Sequence, residues 1–139
     1  MTEVLDTSAL ILARRDPVVA AWLRAAIVAD HVAICDQVAI EYLRGARSAA
    51  EFDEYDDVLS AFPRLRIEPV DWDRIHVVYR SLSAITGGYQ QSVPIADALI
   101  AAVAERHGLT VVHYDQDFDR IAAITGQDVR WVAPRGSVA

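Results

Sequence analysis

The sequence contains no lysine; all thirteen of its Lys+Arg residues are arginine. A phosphoryl-accepting receiver domain shares the acidic pocket and α/β pattern described below, but it relies on a lysine and is thereby excluded. The G-x-x-x-x-G-K-[ST] signature is missing too, which removes P-loop nucleotide hydrolysis. Cysteine is almost as scarce. Cys35 stands alone, so an intrachain disulfide and any multi-cysteine zinc site are ruled out, and the residue is expected to be a small buried apolar side chain. No apolar run is long enough to cross a bilayer, and the start MTEVLDTSAL lacks the basic stretch and cleavage site of a signal peptide. A cytoplasmic protein without membrane contact is expected. Positive charge is in short supply as well: the formal net charge is −7. That argues against a basic surface built to coat nucleic acid, although acids gathered around bound cations can present a local potential unlike the total.

What is present describes a folded globular chain. Of its 139 residues 53% are hydrophobic and 24% charged, with no repeats, no low-complexity stretch and no Pro-, Gly- or Ser-rich linker. One domain spanning residues 1–139 is expected. Short runs rich in Val and Ile read as strands: EVLD (3–6), HVAIC (31–35), LRIEPV (65–70), LTVVHY (109–114) and DVRWV (128–132). Helical patterns lie between them, over residues 8–14, 17–29, 37–46, 49–62, 72–85, 94–107 and 118–124. Pro17 after Asp16 suits a first helical turn, and Gly108 suits a helix end. Alternating strands and helices predict a three-layer α/β/α domain with a mostly parallel sheet of about five strands.

In such sheets ligands bind at the carboxyl ends of the strands, and the acids collect there. Asp6 closes the first strand and Asp115 follows the fourth, with Asp117 and Asp119 just beyond. Asp97 opens the largely apolar helix VPIADALIAAVAE that leads into the fourth strand, and Glu41 lies one turn into the helix after HVAICD. Each has an ordinary alternative use. Asp6 could cap a helix, Glu41 could pair with Arg44, Asp115 could serve a turn, and Asp117 or Asp119 could cap the last helix. Asp97 could simply favour the positive end of its helix. Four such uses coinciding on one edge is the less economical account. Two carboxylates about 6 Å apart at an effective dielectric of 20 repel by on the order of 3 kcal/mol. Four in one pocket would then approach the whole folding stability of roughly 5–15 kcal/mol. Protons or a divalent cation must relieve that repulsion. An oxygen-only donor set favours Mg²⁺ or Mn²⁺ over Zn²⁺, and phosphodiester hydrolysis is the natural chemistry of such a site.

Four stretches, VLDTSAL, AIEYLRG (39–45), PIADALIAAVA (94–104) and VVHYDQDFDRIA (111–122), resemble in order and spacing the acidic motifs of PIN-domain ribonucleases, and the chain's size is similar to that of the VapC toxins. The resemblance implies a Mg²⁺- or Mn²⁺-dependent endoribonuclease cutting tRNA or rRNA. It also implies a homodimer held inactive by a VapB antitoxin, within a larger complex. Carried over motif by motif, Asp6, Glu41, Asp97 and Asp115 form the catalytic and metal-binding quartet, Asp117 assists at the metal, and Ser8 supports the site through hydrogen bonds. Asp6, Asp97 and Asp115 would be direct or water-mediated ligands, and Glu41 would hold or polarise the attacking water. The chain departs from the pattern at His113, where many relatives carry Ser or Thr two residues before the fourth acid. A packed or solvated ring is expected there rather than a proton shuttle. Arg14, Arg15, Arg44, Arg47 and Arg80 are candidates for RNA contacts by their spacing. In EFDEYDDVLSAF (51–62), Phe52, Tyr55, Leu59 and Phe62 share one helical stripe. Its acidic remainder is either a solvated face or a rim that speeds antitoxin docking.

Two rivals differ in class. A haloacid-dehalogenase-type phosphatase would need D-x-D-x-[TV] after the first strand, where DTSAL stands instead. A catalytically silent PIN-like protein-binding module has no use for acids kept in all four motifs.

Overall fold

A computed structural model describes residues 1–138. Five strands, β1 (Glu3–Leu5), β2 (Val32–Cys35), β3 (Arg64–Leu65), β4 (Thr110–His113) and β5 (Val129–Trp131), form one sheet in the order β3-β2-β1-β4-β5. Every pairing is parallel, with Glu3 opposite both Val32 and Thr110. Consecutive residues of the central strands, Val4, Ala33, Ile34, Val111 and Val112, are all fully buried. Because successive side chains point to opposite faces, both faces must be covered, which makes the sheet the middle of three layers. The covering helices are α1 (Thr7–Ala13), α2 (Pro17–Val28), α3 (Asp36–Arg44), α4 (Ala49–Leu59), α5 (Pro69–Ser83), α6 (Ile95–His107) and α7 (Asp117–Thr125). None of the described helices is long and apolar enough to cross a membrane.

Local chemistry explains most element ends. Asp16 caps α2 by accepting from the Val18 and Val19 amides, with Pro17 in the first turn. Gly108 closes α6 at φ 67°, a left-handed conformation that favours glycine. The sheet departs from expectation at β3, which is two residues long rather than the six of LRIEPV. Pro69 cannot donate to a strand ladder, and Glu68 and Asp71 cap each other's backbone, so the chain turns helical three residues before Trp72. At the other end of that connection, α4 stops at Leu59 rather than Phe62.

The core is continuous from the sheet into α1, α3, α6 and α7, and a smaller apolar cluster of Ile75, Ala98, Leu99 and Ala102 joins α5 to α6. Cys35 is buried as expected, and burial pushes its thiol up to about 11, too high to be a nucleophile at neutral pH. The stripe on α4 is mostly core: Leu59 and Phe62 are buried and Tyr55 packs on Tyr42 with ring centroids 4.9 Å apart, leaving Phe52 exposed.

From β1 the chain builds β2 and β3 on one side, then crosses to place β4 and β5 on the other. The order therefore reverses between β1 and β4, and the crevice at their carboxyl ends is where a parallel sheet offers a ligand site.

Candidate metal centre

Asp6 leaves β1 and becomes the N-cap of α1. One of its oxygens, Oδ2, accepts the Ser8 amide at 3.0 Å and also the Ser8 hydroxyl. Ser8 Oγ in turn accepts the Tyr114 amide at 2.9 Å, tying the end of β1 to the end of β4. The capping role and the site role are thus compatible, since both Ser8 hydrogen bonds fall on the one oxygen, Oδ2. Burial raises the Asp6 carboxyl to about 6, against the pull of the Ser8 hydrogen bonds, and Glu41 adds repulsion.

Asp97 comes from the opposite direction. Helix α6 precedes β4 and runs back along the sheet, so its first turn lies at the same carboxyl edge. The residue is 7% exposed, and its Oδ2 is buried with no hydrogen-bond partner. No described side chain or amide donates to this carboxylate; what surrounds it is more acid. Burial, then the charges of Asp6, Asp115, Asp117 and Glu41, push it up to about 8. A carboxyl that largely keeps its proton at neutral pH and stands unpaired in a crevice is the sort of perturbed acid that marks functional sites.

Asp115 and Asp117 sit on the turn from β4 into α7. Asp115 Oδ1 accepts the Asp117 amide at 3.0 Å, and Asp117 Oδ1 accepts from Arg120 Nη1 at 2.8 Å. Burial and the neighbouring Asp115 charge raise the Asp117 carboxyl despite that arginine. Asp97, Asp115 and Asp117 each offer an oxygen, all within 4.8 Å of one another. Opposite oxygens around a six-coordinate Mg²⁺ stand about 4.2 Å apart, twice the metal–oxygen bond of ~2.1 Å. The cluster is thus near the size a hard divalent cation needs, and a cation would satisfy the orphaned Asp97 oxygen. All its donors are carboxylate oxygens, which fits such a cation and not a thiophilic one.

Of the residues singled out in the sequence, the structure therefore gathers Asp97, Asp115 and Asp117 most tightly. Asp6 and Glu41 border them, close enough for their charges to raise Asp97. Glu41 accepts Gln37 Nε2 at 3.0 Å and is not paired with Arg44. Asp119 faces away, accepting the Trp131 indole N–H at 3.0 Å. Asp117, expected to assist at the metal, lies within the close group; its place two residues after Asp115, on the incoming turn of a helix, is the sequence signal for it. Tyr79 was not singled out. Its hydroxyl donates to the Val93 carbonyl at 2.6 Å beside the cluster, and burial, followed by the Asp97 and Asp117 charges, raises its ionisation. His113 is fully buried in β4, as the packed alternative requires.

The arginines proposed from spacing divide. Arg14 lies over the Tyr42 and Tyr55 rings at 4.3 and 4.4 Å and donates to the Tyr42 hydroxyl, which fastens α1 to α3 and α4. Arg47 pairs with Glu51 and Arg80 with Ser83. Arg15 and Arg44 are exposed.

The family model described as the PIN domain matches residues 4–124. Ribonuclease VapC18 of Mycobacterium tuberculosis is 43% identical over 99% of this chain and 100% of its own length. A DNA-bound VapBC structure from Salmonella typhimurium superposes with a TM-score of 0.76 over 96% of this chain and 99% of that one, at 19% identity, a likeness of fold. The VapBC-5 toxin-antitoxin structure of M. tuberculosis gives a TM-score of 0.58 at 28% identity, covering 94% of this chain and 96% of that one. The chain belongs to the PIN-domain family, as one of its VapC-type members.

Proposed function

We propose that this protein is a Mg²⁺- or Mn²⁺-dependent endoribonuclease, the toxin of a type II toxin-antitoxin pair, folded as one domain and working in the cytoplasm. Its substrate is tRNA or rRNA, and its cutting stops translation. A VapB-type antitoxin neutralises it, and the toxin is a homodimer within that larger complex. The observation that carries this reading is the Asp97 carboxylate, buried without a donor among Asp115 and Asp117.

Asp97, Asp115 and Asp117 would hold the cation, with Asp6 bordering the same crevice. A divalent cation held there would supply Lewis acidity, lowering the pKa of a water and offsetting the negative charge of a phosphodiester. Glu41, oriented by Gln37, holds the attacking water and accepts its proton. The water oxygen bonds to phosphorus in line with the bond that breaks, and the 3′ oxygen leaves and takes up a proton. The products are a 5′-phosphate and a 3′-hydroxyl. Ser8 keeps Asp6 pointed at the site by donating to it while accepting from Tyr114. An acidic centre of this kind also suits inhibition by a basic side chain of the antitoxin, which would replace the cation's charge.

The test is cleavage of total RNA by purified protein with Mg²⁺, with EDTA, and by Asp6→Ala and Asp97→Ala variants. Cutting is expected only from the wild type with metal, and equal cutting by all samples would end the nuclease reading. Growth arrest on expression, relieved by coexpressing the adjacent gene, tests the toxin role separately. Sequencing the RNA fragments identifies the substrate.

A further inference from the structure

The turn that carries Asp115 and Asp117 has left the sheet ladder, and its amides are held by side chains. The Tyr114 amide donates to Ser8 Oγ at 2.9 Å, the Asp115 amide to His113 Nδ1 at 3.1 Å, and the Asp117 amide to Asp115 Oδ1 at 3.0 Å. The middle link is the unusual one, because it comes from an imidazole fully buried in β4. That ring is stacked on Phe118 at 5.0 Å and tilted against Trp131 at 5.1 Å, so two aromatic neighbours restrict its rotation. Its other nitrogen, Nε2, has no hydrogen-bond partner among the described residues, and the Asp119 carboxylate stands 3.9 Å away. Asp119 is itself held by the Trp131 indole. An Nδ1 that accepts an amide proton carries none of its own, so the ring proton of the neutral imidazole sits on Nε2, facing Asp119.

We propose that His113 is a positioning residue of the metal centre: as the fixed acceptor of the Asp115 amide, it sets the turn that aims the Asp115 and Asp117 carboxylates at Asp97. The Asp115 amide is held by the ring and the Asp115 carboxylate by the Asp117 amide, so the backbone that carries both carboxylates is tied to His113. An imidazole serves here better than a short hydroxyl in one respect. Its two aromatic neighbours restrict its direction, whereas a hydroxyl can rotate to other acceptors. Groups that orient metal ligands in this way commonly change metal affinity about 10–100-fold when removed.

The inference rests on Asp115 being a metal ligand, and its test separates the two. Mn²⁺ binding is measured by the loss of the free-ion electron paramagnetic resonance signal, on wild type, His113→Asn and His113→Leu. Asn places an acceptor oxygen near the position of Nδ1; Leu fills the space without an acceptor. Wild type and H113N are expected to agree within about threefold, and H113L to bind at least roughly tenfold more weakly. Long-range proton–nitrogen correlation spectra of the ¹⁵N-labelled wild type are expected to show the Nε2–H tautomer of His113, a readout that needs neither variant to fold. Equal Mn²⁺ affinity in H113L, a loss in H113N as large as in H113L, or an Nδ1–H tautomer would each overturn the proposal. Wild type that binds Mn²⁺ yet cuts no RNA overturns the nuclease reading alone. Wild type that binds no Mn²⁺ ends the metal centre and this proposal with it.

Discussion

Asp71 and Asp97 occupy matching places, each in the first turn of a helix, and both are buried, at 1% and 7% exposure. Their surroundings are opposite. Asp71 accepts Arg106 Nε and Nη2 at 2.9 Å each and the Glu68 amide at 2.8 Å. Burial alone would raise its carboxyl, but the Arg106 hydrogen bonds, the Glu68 amide and the Arg106 charge together hold it below the usual range. Asp97 is given no donor, and acids surround it. Burial of a carboxylate therefore says little about its role. The informative property is whether its lone pairs are satisfied within the chain, because an unsatisfied buried anion costs stability that only a ligand from outside can recover.

The sharpest way to separate the two residues is to remove the charge from each. Asp97→Asn is expected to lower Mg²⁺-dependent RNA cleavage by on the order of 10²–10³-fold. The same variant should raise the melting temperature measured in EDTA, since it deletes an anion that folding disfavours. Asp71→Asn is expected to do the reverse. It should leave cleavage within a few-fold of wild type and cost about 2–3 kcal/mol of stability, read as a lower urea midpoint at unchanged slope. The loss falls short of the roughly 3–5 kcal/mol of a fully broken buried pair because Arg106 also donates to the Arg66 carbonyl at 3.0 Å and lies 3.4 Å from Glu68, so it would not be left alone. If both variants lost activity equally, the contrast between them would be void.

The pH dependence should divide along the same line. Asp97 titrates at about 8 folded, against about 4 in an unfolded chain. The folded state therefore binds the extra proton across that interval, and without a cation its stability falls as pH rises from about 4 to 8. Asp6, at about 6, adds to the fall over the lower half of the window. Asp71 has the opposite sign: its contribution is complete above its unfolded pKa near 4 and is lost on acidification through its lower folded value. Melting temperatures in EDTA should thus decline from pH 5 to pH 8 and also drop below pH 4. Mn²⁺ at a hundredfold excess over its dissociation constant should add about 2.7 kcal/mol near neutral pH. Asp97→Asn should abolish most of the decline between pH 6 and 8 and most of the gain from Mn²⁺. A cation-free wild type with flat stability over that range would show the Asp97 proton to be held no more tightly folded than unfolded.

Much of this arrangement is legible in the letters, for a definable reason. Strand ends are marked by short Val/Ile runs, and a parallel sheet sends every such end to one edge, so Asp6 after VL and Asp115 after VVHY can be placed together without coordinates. Asp97 follows because a helix leading into a parallel strand must start at that edge. What could not be read is whether a buried acid has a partner. Asp71 and Arg106 are 35 positions apart and meet only because α5 packs along α6. The same applies to His113, whose accepting nitrogen is fixed by rings from α7 and β5. LRIEPV reads as a strand by its Val/Ile content, but Pro69, with Glu68 and Asp71, begins a helix there and cuts β3 to two residues.

Asp117 lies between the two extremes, and it yields the smallest and most discriminating prediction. It belongs to the close acid group, yet it is also paired with Arg120, a half-buried cation that lies 4.5 Å from the centre of the Tyr89 ring. If the satisfaction of lone pairs decides a carboxylate's role, Arg120 competes with the cation for the Asp117 carboxylate and repels it by charge. Arg120→Gln should then tighten Mn²⁺ binding by about two- to fivefold, the ~0.5–1 kcal/mol that a partly exposed ion pair can contribute. Calorimetric titration of the two proteins with Mn²⁺ measures this without reference to RNA. Weaker binding by the variant would mean that Arg120 holds Asp117 in its liganding position, and that a carboxylate can be satisfied within the chain and still serve the metal.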